Sequence, residues 1–275
     1  MKPTFDILLP QSNTMHSSLY VEIGMQGISF IVIDSTNNCV ALAIYHFPPE
    51  INADKAAVHL KQIVAAQPIL QEVYQRITVI YNYPSSAMVP HVHSNDPANK
   101  QLLELLFGDI NEFVIKKDFI YQHDIHNIYL VPRQIDGVVS YLFSADSCTH
   151  LYSLLPTLSN FTGNNLYCIF GTGNFIVMLL KEGILQIIQS FQYKTGDDVV
   201  YYLLQLCSSF DVAVNETNVL LNGMIDVSSN LYFELNKYFL RLQLQPLPGS
   251  FAYPDEIKKY PSHYFSHLFS LAACV

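Results

Sequence analysis

Six of the chain's ten histidines fall into three close-set groups, and these are the first residues whose types and spacing suggest chemistry. His91 and His93 stand two apart. His123 and His126 flank Asp124, and His263 and His267 are four apart. Neutral imidazoles beside a carboxylate ligate zinc, so these groups raise a metal-dependent enzyme. Against it, no H-E-x-x-H and no cysteine pair occurs, and the groups lie far apart in sequence. Metal chemistry therefore requires the fold to bring His91, His93, His123 and His126 together, and no metal is expected. Asp197 and Asp198 are paired carboxylates after Thr195-Gly196, a pattern that helix capping explains. Gly171-Thr172-Gly173-Asn174 offers backbone amides that could cradle an anion, and small residues are equally what a hairpin turn requires. Ser86, Ser147 and Ser190 lack a nucleophile-elbow context, so acyl transfer has no support.

The elements around the glycine turn are the most legible in the chain. A strand over Leu166–Phe170 meets that turn, and a second strand follows over Phe175–Leu180. Lys181-Glu182-Gly183 reverses the chain into a third strand, Ile184–Phe191, and Asp197–Cys207 reads as a helix. The same order begins at Ser18, with strands over Leu19–Ile23, Ile28–Asp34 and Cys39–Phe47. Leu19-Tyr20 precedes Gly24 at the spacing by which Leu166-Tyr167 precedes Gly171. A repeat near half the chain length predicts two similar domains, 1–150 and 151–275, not a solenoid. The junction is expected at Asn160–Asn164.

Between these units the pattern predicts helices over Ala53–Gln67, Pro97–Phe107, Ile135–Phe143 and Cys148–Leu158. It predicts strands over Ile77–Tyr81, Phe113–Tyr121 and Ile128–Val131, with a loop opening at Met88-Val89-Pro90. In the second half a strand over Asn218–Leu221 reaches the turn at Gly223. A helix (Leu231–Phe239), a strand (Arg241–Gln245), a proline-rich loop (Pro246–Pro254) and an aromatic helix (Ser262–Cys274) follow.

Composition narrows the partners. A formal charge of −9 and basic runs no longer than Lys116-Lys117 and Lys258-Lys259 argue against nucleic acid. No apolar run is long enough to span a membrane, and the first residues carry no signal-peptide pattern. Five scattered cysteines without a C-x-x-C fit a reducing, cytoplasmic setting. Charged residues make up only 13% of a chain holding 18 Tyr and 17 Phe, which predicts an exposed apolar patch. A protein partner or self-association is expected there, with Ser262–Cys274 as the candidate surface unless that helix packs into the core.

Two halves that each open on a three-stranded antiparallel unit with a glycine turn resemble the actin-like ATPase superfamily. The nearest likeness is to the pilus-assembly and cell-division members. Their D-x-G hairpin, short glycine turn and G-G-D-D helix start have counterparts in Ile169-Phe170-Gly171, Glu182-Gly183 and Thr195-Gly196-Asp197-Asp198. The strand before the family's Gly-Gly adenosine turn is echoed by Asn218–Gly223. As a whole the chain looks like an uncharacterised bacterial family with a degenerate form of this fold, and Ala87–Pro90 and Asn127–Pro132 add to that likeness. The resemblance implies an α/β fold of two related actin-like (ribonuclease H-like) domains, each with a mixed sheet opening on a three-stranded antiparallel unit. It places a vestigial nucleotide site at Glu22, Gly24, Gly171, Thr172, Gly173 and Gly223. In the family the first aspartate holds Mg²⁺ through water beside phosphate-cradling amides. Here that position is Glu22, the second carboxylate is replaced by Ile169, and one glycine of the adenosine turn survives as Gly223. Phosphoryl transfer rests on positioning and charge neutralisation, so these departures imply lost ATPase chemistry. No cofactor is expected, with Mg-ATP as the ligand if the site survives. The implied role is a non-catalytic interaction or scaffold protein. A weakly active nucleotide-binding ATPase and a histidine-dependent metalloenzyme are the alternatives.

Overall fold

The computed structural model describes residues 1–9, 14–158 and 161–274. Asn160, at the expected junction, and Pro10–Asn13, within the stretch read for a signal peptide, lie outside the described residues. The chain separates into two compact units, Met1–Leu154 with Ser250–Pro254, and Leu155–Gly249 with Asp255–Cys274.

The first unit is built on a six-stranded mixed sheet. Its strands are β1 (Phe5–Leu8), β2 (Ser18–Gly24), β3 (Gly27–Ile33), β4 (Cys39–His46), β5 (Arg76–Asn82) and, after an inserted lobe, β9 (Ser147–His150). Their order is β1-β4-β3-β2-β5-β9, with β2 antiparallel to β3 and parallel to β5. Between β4 and β5 runs helix α1 (Ala53–Ala66), started by Asn52, whose side chain accepts from Lys55 N. The insertion is β6 (Ser86–Pro90), α2 (Asp96–Phe107), β7 (Phe113–Ile120), β8 (Ile125–Pro132) and α3 (Arg133–Leu142), with the three strands in the order β6-β8-β7. A single-turn helix, α4 (Leu151–Leu154), follows β9. Leu60, Val64, Ile135 and Val139 from α1 and α3 pack against Leu19, Val21, Phe30 and Val32 of the sheet.

The second unit carries a five-stranded sheet of the same plan. β10 (Asn165–Phe170), β11 (Asn174–Lys181) and β12 (Ile184–Gln192) form the antiparallel opening. Then come α5 (Gly196–Ser209), β13 (Asn218–Gly223), α6 (Asn230–Tyr238) and β14 (Arg241–Leu244), in the order β12-β11-β10-β13-β14. Both later strands run parallel to their neighbours. Every residue of β10 is buried, as expected for a strand covered on both faces. The chain closes with α7 (Asp255–Lys258), a 3-10 turn (Ser262–Tyr264) and α8 (Ser266–Ala272).

Three expectations are corrected. The loop at Met88-Val89-Pro90 is part of β6, whose Met88 pairs with Asn127. The helix over Cys148–Leu158 is instead a strand, a single α turn and a 3-10 turn (Leu155–Thr157), because parallel pairing of Cys148 with Val79 holds its first residues extended. The terminal aromatic helix is shorter than expected, and it is not an exposed patch: Phe265 and Phe269 are fully buried. Those two rings therefore offer no surface to a partner.

Candidate functional site

Glu22 sits two residues before the end of β2, between Ser29 of β3 and Ile80 of β5. Asn82, at the end of the parallel strand, donates from Nδ2 to Glu22 Oε1 at 2.7 Å. Burial raises the Glu22 carboxyl to about 7, and the Asn82 hydrogen bond opposes that rise. Beside it Gly24 pairs with Asn82, and a Cβ there would lie 2.5 Å from the Asn82 carbonyl oxygen. The close approach of the two strand ends thus requires glycine. Asn82 had no signal in the sequence; only the parallel register, across sixty residues, brings it to Glu22.

At the second hairpin the position corresponding to a carboxylate is Ile169, buried and paired with Asn222 of β13. Phe170 pairs with Gly223, which has φ +77 and would place a Cβ 2.3 Å from the Phe170 carbonyl oxygen. Asn222 is fully committed inside this unit. Its amide donates to the Cys168 carbonyl at 3.3 Å, and its oxygen accepts from Ser266 Oγ at 2.6 Å. Ser266 belongs to α8, so the closing helix seals the strand end that sequence pattern likens to an adenosine turn. The Gly171–Asn174 turn is tied by Gly171 N to Asn174 O (2.9 Å) and by Tyr193 N to Gly173 O (3.0 Å). Tyr193 also donates its hydroxyl to the Gly171 carbonyl, while Thr172 and Gly173 stay exposed. The structure therefore brings Glu22 to Gly24, and Gly223 to the Gly171 hairpin, within their respective units.

Asp198 is a cap. Its Oδ2 accepts from Lys194 N and Thr195 N at 2.9 Å each, and Thr195 Oγ1 accepts from Asp198 N, closing a capping box. Those backbone donors hold the Asp198 carboxyl below its usual value.

The histidines divide. His91 Nδ1 and His126 Nε2 are 2.9 Å apart, with Phe119 against both rings. Among the described residues no group of three or more His, Cys, Asp or Glu is placed to hold a metal. His263 is buried and donates from Nε2 to the Ile225 carbonyl, and burial pushes His267 down to about 4. His150, which sequence reasoning passed over, is buried between Tyr129 and Tyr152, with Nε2 on the Tyr83 carbonyl and Nδ1 accepting from Tyr152 N. Near it Asp118 gathers donors from Thr149, His150, Ser153 and Tyr129. Both imidazole nitrogens are engaged by backbone groups, and the Asp118 carboxylate cross-links the inserted lobe to β9 and α4.

A magnesium nucleotide does not fit these residues well. The second hairpin offers a buried isoleucine where charge is needed, and Asn82 already engages the carboxyl at the first.

Two α/β units, each a mixed sheet opening on a three-stranded antiparallel hairpin, define an actin-like ATPase fold. The solved structures agree. A protein of Bacteroides thetaiotaomicron described as having an actin-like ATPase fold and unknown function aligns with TM-score 0.78 at 14% identity, over 95% of this chain and 97% of that one. The PilM-PilN type IV pilus biogenesis complex aligns with TM-score 0.60 at 13% identity, over 95% and 98%. Ethanolamine utilization protein EutJ from Carboxydothermus hydrogenoformans aligns with TM-score 0.54 at 9% identity, over 98% and 93%. No curated protein matches the chain in sequence. The chain belongs to the family of proteins of unknown function DUF3822, whose model matches residues 9–242. Among the described residues no helix is long and apolar enough to cross a membrane.

Proposed function

We propose that this protein is an actin-like interaction module that has lost ATP hydrolysis, and that its two halves descend from an internal duplication. The observation that carries the reading is the second hairpin. Ile169 is buried where phosphoryl transfer calls for charge, and its strand partner Asn222 is consumed by Cys168 and Ser266. Glu22 supports it from the other unit, since its buried carboxyl already accepts the Asn82 side-chain amide. Glu22, Gly24, Gly171, Thr172, Gly173 and Gly223 are then remnants of a nucleotide site, kept because their backbone geometry holds strand ends together. No cofactor is needed. A complex of PilM with PilN among the similar structures makes a protein partner a natural role for the fold, though fold alone does not assign it. Free cysteines, three of the five buried, accord with a cytoplasmic setting.

The exposed Thr172-Gly173 turn favours a second reading, weak anion or nucleotide binding without turnover. Calorimetric titration with Mg-ATP and Mg-ADP tests the proposal. No heat of binding at about 1 mM nucleotide is expected, and no change in unfolding temperature. Micromolar binding that is lost in Glu22→Ala would overturn it.

A further inference from the structure

The sheet edges of this protein are unequally protected. An edge strand presents a row of unpaired N–H and C=O groups, and natural edges are kept short, charged or interrupted by proline. β1, β9 and β14 have four residues each, and β1 and β14 carry Asp6 and Arg241. β6 has five and ends on Pro90; β7 has eight but carries Lys116, Lys117 and Asp118. β12 has nine residues, Ile-Leu-Gln-Ile-Ile-Gln-Ser-Phe-Gln, with no charge and no proline. None of its residues is buried, although six of the eight in neighbouring β11 are. In the first sheet the corresponding strand, β4, is covered by β1 in antiparallel pairing, Phe5 opposite Ile44. Among the described residues no strand covers β12.

We infer that β12 pairs antiparallel with β12 of a second copy, joining two five-stranded sheets about a two-fold axis. This deepens the interaction-module reading, on which it rests, by naming surface and partner. Pairing to β11 is uninterrupted from Ile187 to Gln192, the register shift lying before it. Two copies of Ile187–Phe191 overlap fully when the axis passes Gln189. Gln189 then faces its own copy, and Ile187 faces Phe191 of the other chain. Such apolar cross-strand pairs stabilise a sheet, and a strand without charge meets its copy without repulsion. The flank supplies further apolar surface. Phe191 stacks on Tyr202 with ring centroids 4.3 Å apart, and Tyr202 meets the exposed Tyr201. An isologous interface of this kind closes at the dimer.

The test is mass in solution, by sedimentation equilibrium, for the native chain, Gln189→Lys and Gln189→Glu. Gln189 is exposed, so neither variant disturbs packing, and circular dichroism and unfolding of the diluted monomer confirm that. The native chain is expected to dimerise at about 100 μM, with each variant at least tenfold weaker because like charges face each other. An equimolar mixture of the two variants is expected to recover the dimer. A native chain that stays monomeric, a dimer untouched by either charge, or a mixture that stays monomeric would overturn the pairing. Phosphate release in the same samples separates the two readings. ATP turnover sinks the interaction-module reading, whereas a monomer without turnover sinks the pairing alone.

Discussion

Asn82 donates its side-chain amide to Glu22 at 2.7 Å, tying together the ends of two parallel strands that are sixty residues apart in the chain. Burial of that carboxyl raises its pKa to about 7 from the ordinary 4.5, and the Asn82 hydrogen bond opposes the rise.

A pH dependence follows. The folded pKa lies above the unfolded one, so the stability this proton supports is complete below about pH 4.5 and is lost as pH rises through 7. Glu22→Gln, which cannot ionise, is expected to match the native chain at pH 4.5 and to exceed it by about 1–3 kcal/mol at pH 8. Thermal unfolding of both proteins at the two pH values checks this. A difference that does not change with pH contradicts the assignment.

Two glycine substitutions should move stability in opposite directions. At Gly223 a Cβ would strike the Phe170 carbonyl at 2.3 Å, and φ +77 disfavours an L side chain. Gly223→Ala is therefore expected to cost about 2 kcal/mol or more. Gly137 lies inside α3 with nothing within 4 Å of its would-be Cβ, so Gly137→Ala should gain about 0.5–1 kcal/mol. Denaturant midpoints of the two variants decide both signs.

Phe269 is fully buried in the second unit, and it tests whether α8 is core. Phe269→Ala is expected to lower stability by about 3–5 kcal/mol. Ser266→Ala should cost about 1–3 kcal/mol by leaving the buried Asn222 oxygen without its donor. Unfolding temperatures near native for both would return α8 to the surface.

Much of the fold was legible because it is local. The β10–β12 hairpins announce themselves through Gly171–Asn174 and Glu182-Gly183, and the α5 start through Thr195 and Asp198, whose partners are a few residues away. What stayed hidden depends on distant pairing. Ser147–His150 is extended only because β5 lies beside it, and Phe5–Leu8 is a strand only against β4. Ser86–Pro90 was masked by its flanking prolines, which suit an edge. At the site, Glu22, Gly24 and Gly223 could be named from their spacing. Asn82 and Ser266, which engage Glu22 and Asn222, could not, because nothing in the chain marks contacts made across sixty and forty-four residues.

Steady-state phosphate release from Mg-ATP addresses the loss of ATPase chemistry most directly. The native chain, Glu22→Ala and Ile169→Asp are measured side by side under saturating nucleotide. Release indistinguishable from the protein-free background is expected for the native chain and Glu22→Ala alike, because Ile169 supplies no charge and Asn222 is occupied. Turnover near one per second in the native chain, abolished by Glu22→Ala, would contradict the account and restore an ATPase.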